Sequence, residues 1–150
     1  MRNALAALDR IGAKQSRAMH LGGLAAAHIS LREFDVGLGL LDQAIQVADK
    51  TEERVSQAEL HRLRGEVLTM TNRRDEAQVE LEQALAVARR QDARFWELRA
   101  AATLARLWRD RGHCREASDL LSPLCEWFSE GLELPDLKIA RTLLDELARA

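Results

Sequence analysis

Residues 73–88 read RRDEAQVELEQALAVA, and residues 33–48, forty positions earlier, read EFDVGLGLLDQAIQVA. Asp35 falls on Asp75, Leu41 on Leu81, Gln43 on Gln83, Ala44 on Ala84, Val47 on Val87 and Ala48 on Ala88. Gly37 falls on Ala77, one small residue on another. A further forty positions on, residues 113–128, HCREASDLLSPLCEWF, place Ala117 and Leu121 in the same two columns and Leu124 in the third. An internal period of this length marks an array of supersecondary units, each of which buries its apolar face against its neighbours.

Each unit reads as two helices. Ala77, Leu81, Ala84, Leu85 and Ala88 step by three and four, which puts them on one helical face, and Leu60, Leu63, Val67 and Leu68 do the same upstream. Thr51 is expected to N-cap the upstream helix, with Glu52 and Glu53 in its first turn. Thr71-Asn72 marks the turn inside the second unit and Gly112 the turn inside the third. The expected helices are 16–30 and 34–49, 52–70 and 74–90, then 93–111 and 114–129, with a break or kink near 119–123 where Pro123 cannot donate to the carbonyl of Asp119. Leu137, Ala140, Leu143, Leu144 and Leu147 share a face of a last helix, expected at 136–148 as a cap. Ala4, Leu5, Ala7 and Asp9 fall in the columns of Ala44, Ile45, Val47 and Asp49, so 1–14 is expected to be the end of a preceding repeat helix. The expected organisation is one domain over 1–150: repeats at 16–50, 51–91 and 92–131, and a capping helix at 135–149. The expected fold is all-α, a right-handed solenoid of antiparallel helix hairpins.

Composition agrees. Leu and Ala, strong helix formers, dominate the 150 residues; aromatics are 4%, and two Pro and eight Gly leave little turn chemistry for an all-β chain. Lys and Arg number 22 against 24 Asp and Glu, which argues against a nucleic-acid partner, because phosphate neutralisation needs a basic excess. The longest apolar run, Leu21 to Ile29, is too short to span a bilayer. Cys114 and Cys125 are eleven apart on one expected helix, about 16 Å by helical rise, beyond disulfide reach. The expected setting is the cytoplasm, with no membrane contact.

The small–large–small pattern of Ala77, Leu81 and Ala84, with Gly65 in the preceding helix, resembles tetratricopeptide repeats. AELHRLRGE at 58–66, WELRAAATLARLW at 96–108, WFSEG at 127–131, LPDLK at 134–138 and LLDEL at 143–147 narrow the likeness. Together they resemble the C-terminal repeat region of large bacterial regulators that carry an AAA-type ATPase module, often behind an adenylate or guanylate cyclase domain. The chain departs from that pattern at Gly22-Gly23, where the family is more strongly helical, and at Leu132 and Ile139. The resemblance implies a scaffold or sensor segment, without ATPase or cyclase activity of its own. It implies a concave groove whose positions fall on Glu59, Arg62, Glu66, Thr69 and Met70, and on Arg99, Ala102, Arg106, Arg109 and Asp110.

Catalytic chemistry is not expected. Gly37-Leu38-Gly39 lacks the Lys-Ser/Thr of a phosphate loop and is read as close helix packing. His20, His28, His61 and His113 form no metal-ligand spacing and are read as surface or packing residues. Glu80 and Glu82 are read as a solvated face. No cofactor and no metal are called for. Trp96, Trp108 and Trp127 are expected to pack between the third helix pair and the cap, with an exposed anchor in a peptide groove as the other reading. Arg99, Arg106 and Arg109, spaced by seven and three, share a face that Arg62 extends. A strip of arginines suits an acidic protein segment, whereas Glu59, Glu66, Glu97 and Asp110 would make the same face a salt-bridged surface. The leading expectation is a non-catalytic scaffold for a protein or peptide partner. The second is a self-association module forming a homo-oligomer. A small-ligand-binding or hydrolytic helical protein would need a polar-lined pocket.

Overall fold

The computed structural model describes residues 17–51, 54–128 and 134–150. They form seven α-helices: α1 Arg17–Ser30, α2 Phe34–Thr51, α3 Gln57–Met70, α4 Arg74–Arg90, α5 Arg94–Asp110, α6 Cys114–Trp127 and α7 Pro135–Arg149. A single 3-10 turn, Arg54–Ser56, precedes α3, and no strand occurs among the described residues. The expected segment 1–14 lies outside them.

Three-residue turns join four pairs of consecutive helices, and all four turns have one geometry. After α1, α3, α4 and α5 the residues with positive φ are Arg32 (63°), Asn72 (61°), Asp92 (52°) and Gly112 (86°). In each, two amides reach back to the last turn of the helix: Asn72 N to Thr69 O at 3.1 Å and Arg73 N to Leu68 O at 2.8 Å, Gly112 N to Arg109 O at 3.0 Å and His113 N to Trp108 O at 2.8 Å. This is the Schellman closure, which satisfies carbonyls that the helix leaves orphaned. The next helix begins one residue later, so consecutive helices fold back on each other.

The junction between α2 and α3 departs from this pattern and from expectation. Thr51 does not cap α3; it is the last residue of α2, and its hydroxyl donates to the Val47 carbonyl at 2.7 Å. Serine and threonine make this i−4 bond when they lie inside a helix, which removes the oxygen from capping duty. The helix expected from 52 begins at Gln57. Glu52 and Glu53 lie outside the described residues.

Pro123 does not break α6, which runs unbroken from Cys114 to Trp127. Pro123 and Asp119 are both on the exposed side. Water can therefore satisfy the carbonyl that a proline leaves without its donor. Pro135 opens α7, where its missing N–H costs nothing.

The repeat columns form the core. Leu41, Leu81 and Leu121 are fully buried, as are Ala77, Ala117, Ala44, Ala84, Ala48 and Ala88. Gly37 is buried too, and a Cβ there would come within 2.7 Å of an Ile29 side-chain carbon. Gly37-Leu38-Gly39 is thus a packing feature inside α2. Helices pair as α1 with α2, α3 with α4 and α5 with α6, and α7 closes on α5 and α6. The first helices also meet one another, α3 packing on α5 and α5 on α7, while the second helices do not pack closely together. That asymmetry curves the stack, with α1, α3, α5 and α7 on its inner face.

Candidate functional site

Position 19 and its forty-residue equivalents lie on the inner face: Met19 of α1, Glu59 of α3 and Arg99 of α5. Ala26, Glu66 and Arg106 form a second such column, and Gly22, Arg62 and Ala102 a third. The face is therefore apolar in its first unit and mostly charged in the next two.

Three depressions run along it. The first, about 500 Å³, is bounded by Met19, Gly22 and Gly23 of α1, Leu60 and Leu63 of α3 and Trp96 of α5, with Glu59, Arg62 and Arg99 at its charged side. The second, about 190 Å³, shares Arg62 and Arg99 with the first and adds Glu66, Arg106, Asp136 and Ile139. The third, about 300 Å³, shares Arg106 and Ile139 with the second and adds Arg109, Lys138 and Glu146. Shared lining residues make the three one continuous groove.

Arg62 is its structural centre. It is 6% exposed, and its guanidinium donates to Glu59 at 2.7 and 2.8 Å, to Glu66 at 2.9 Å and to Thr103 Oγ1 of α5 at 3.4 Å. Burial works against its charge, but the hydrogen bonds and charges of Glu59 and Glu66 outweigh burial and hold its pKa above the usual arginine value. Arg99 is 3.0 Å from Glu59 and 3.2 Å from Asp136, and its guanidinium lies over the Trp96 ring at 5.7 Å. Arg109 pairs with Glu146 and Asp110. Arg106 is exposed and makes no ion pair or hydrogen bond among the described residues. The structure thus brings Arg62, Arg99 and Arg106 around one depression and Arg106 and Arg109 around the next, with three of the four arginines neutralised. Met70, 54% exposed, lies outside these three depressions. Thr69 is turned back to the Gly65 carbonyl.

Several expected side chains lie elsewhere. Glu97 is buried between α4 and α5, bonded by Arg89 at 3.0 Å and Arg94 at 3.4 Å. Glu80 is not solvated: it accepts from His61 Nδ1 at 2.8 Å and lies 3.7 Å from Arg64, which also pairs with Asp42 at 2.9 Å. Glu82 is exposed. His28 bonds Glu33, and His113 lies 3.7 Å from Glu116. The tryptophans do not share one environment. Trp96 packs on Ala58, Val87 and Ala88, Trp108 packs on the main core, and Trp127 is 56% exposed, with the Arg94 guanidinium 5.4 Å above it. Trp127 misses the core because the buried stripe of α6 runs through Ala117, Leu121, Leu124 and Cys125. Burial raises the Cys125 pKa despite Arg141, so this thiol is not an activated nucleophile. Among the described residues no group of three His, Cys, Asp or Glu side chains is placed to hold a metal, and no helix is long and apolar enough to cross a membrane.

The stack of hairpins with a grooved inner face has close counterparts among solved structures. A crystal structure from Podosopora anserina, of a "putative kinesin light chain" with nearly identical TPR-like repeats, superposes with a TM-score of 0.68. A single-substitution variant of the same protein superposes with a TM-score of 0.70. In both, identity is 20%, and the match covers 99% of this chain and 77% of the other. The chain has a tetratricopeptide-like repeat fold. No protein-family model and no curated protein matches the sequence.

Proposed function

We propose that this TPR-like array is a non-catalytic scaffold that receives a segment of a partner protein along its inner face. The observation that carries the reading is the continuous groove from Met19 to Glu146, crossing α1, α3, α5 and α7. Arginines 62, 99, 106 and 109 line it, and Arg106 is available to a carboxylate on the partner. The motifs at 58–66, 96–108, 134–138 and 143–147 support a setting in a bacterial ATPase or cyclase regulator, where occupancy of the groove would bias the neighbouring module. The test is a pull-down with Arg99→Glu combined with Arg106→Glu, circular dichroism confirming the fold. Loss of partners captured by the parent chain supports the reading; an unchanged set of partners removes it.

Self-association is a second reading, favoured by one observation. Leu31 is 70% and Val36 48% exposed at the α1–α2 turn, whereas the equivalents of these positions in the other units are Thr71, Arg111, Glu76 and Glu116. Light scattering behind size exclusion tests it: a dimer that Leu31→Arg with Val36→Glu returns to monomer supports it, and a monomer at all concentrations removes it.

A further inference from the structure

We infer that the groove recognises two features of one partner segment together: a large apolar side chain, seated between α1 and α3 over Gly22 and Gly23, and a carboxylate three to five residues away, bound at Arg106. The inference rests on the scaffold reading above and specifies the chemistry of its partner.

The apolar half of the inference comes from the first depression. Its floor is open because residues 22 and 23 carry no side chain. Gly22 lies against Leu60, which a Cβ would approach to 2.8 Å, while a Cβ on Gly23 would meet nothing within 4 Å. The walls are Met19, Leu60, Leu63 and Trp96, and Met19 is 56% exposed beside a cavity of about 500 Å³. A concave apolar site of this size accommodates a Leu, Met or aromatic side chain. The charged side chains at its edge are already occupied: Arg62 by Glu59 and Glu66, Arg99 by Glu59 and Asp136. This end of the groove therefore offers a partner burial of apolar surface, not an ion pair.

The carboxylate half comes from the other end. Around the third depression stand Arg106 and Arg109, with one carboxylate, Glu146, which is bound to Arg109. Arg106 projects into both the second and third depressions, and Glu66 and Asp136 beside it are bonded to Arg62 and Arg99. A guanidinium with free donors beside bonded carboxylates accepts a bidentate carboxylate without displacing an existing pair. Helix packing and helical rise together fix the spacing. The seat between α1 and α3 is about one and a half interhelix distances from α5, and Arg106 lies about one turn beyond the columns of Gly22 and Gly23, about 12–16 Å in all. An extended chain covers that in about three to five residues.

The test is selection of a random twelve-residue phage-displayed peptide library against the immobilised chain, the Gly23→Leu variant and the Arg106→Ser variant. Gly23→Leu puts a side chain into the depression from a position where a Cβ meets nothing within 4 Å, and Arg106→Ser removes an exposed side chain, so both should melt as cooperatively as the parent. The expected result is that peptides enriched on the parent chain pair Leu, Met, Phe or Trp with Asp or Glu three to five positions away. Representative synthetic peptides should lose at least tenfold in affinity against either variant. Enrichment for acidic residues alone, sensitive to Arg106→Ser but not to Gly23→Leu, leaves the scaffold reading standing and overturns the two-feature inference. No enrichment on the parent chain overturns both.

Discussion

Gly65 of α3 lies so close to Leu81 of α4 that a Cβ on residue 65 would fall 2.6 Å from the Leu81 Cγ and 3.2 Å from the Ala77 carbonyl oxygen. Leu81 is fully buried and the carbonyl belongs to a helix, so neither can withdraw cheaply. Gly65→Ala should destabilise the chain by about 1–2 kcal/mol, overpacking outweighing the gain in helix propensity. Gly23 and Gly39 are also helical, but a Cβ there meets nothing, so Gly23→Ala and Gly39→Ala should each stabilise by about 0.5–1 kcal/mol. Urea denaturation of the three variants tests the assignment through opposite signs of the shift.

Arg62 ties α3 to α5. Truncation leaves Glu66 without its guanidinium and Glu59 with Arg99 alone. Arg62→Ala should cost about 2–4 kcal/mol, and Arg62→Met, which keeps the buried stem, should cost less. Equal losses in urea midpoint for the two variants would show that the charge, and not the packing, carries the whole effect.

Glu80 makes stability depend on pH. Burial pushes its carboxyl up, but the His61 hydrogen bond and the charges of Arg64 and His61 outweigh burial and hold the pKa below the ordinary glutamate value. A depressed folded pKa means stability that is fully present above the unfolded pKa and lost as pH falls through the folded one. Thermal midpoints of the parent should therefore fall on acidification below about pH 4.5. Glu80→Gln should melt lower than the parent at pH 7 and show a shallower decline below that point. Parallel curves would remove Glu80 as a contributor.

Pro123 sits on the exposed side of α6 inside an unbroken helix. Restoring the missing amide with Pro123→Ala should stabilise by about 1–2 kcal/mol, the helix gain exceeding the lost restriction of the unfolded chain. A fall in the urea midpoint would show that the proline ring is needed where it stands.

Period and helix faces were legible because they depend on apolar spacing alone: Leu41, Leu81 and Leu121 could be aligned without knowing any contact. Thr51 was misread because a threonine hydroxyl serves as an N-cap or as an i−4 partner equally well, and only the backbone path after α2 decides. Pro123 points to a break that does not form, because the cost of a proline depends on whether water reaches the freed carbonyl. In the groove, arginine spacing placed Arg99 and Arg106 together, but spacing does not report pairing. Asp136 and Glu146 reach Arg99 and Arg109 from α7, more than thirty positions along the chain. The apolar end, built from the absent side chains of Gly22 and Gly23, was hidden behind a departure from a family pattern, although comparing Met19, Glu59 and Arg99 as one column would have exposed the contrast.

The four matching turns make the array divisible. Arg32, Asn72 and Gly112 occupy equivalent stations forty residues apart, each with positive φ and the same pair of closing amides. A genetic crossover between two such stations adds or removes one hairpin's worth of chain while the backbone enters and leaves the joint in an unchanged direction. Joining Asn72 directly to His113 would bring Ala117 and Leu121 to Gly65 in place of Ala77 and Leu81, the same side chains in the same places. The number of hairpins is thus a quantity that recombination can vary without redesigning the joint or the packing at Gly65, whereas Asp136 and Glu146 of α7 would face Glu59 and Thr69 in place of Arg99 and Arg109.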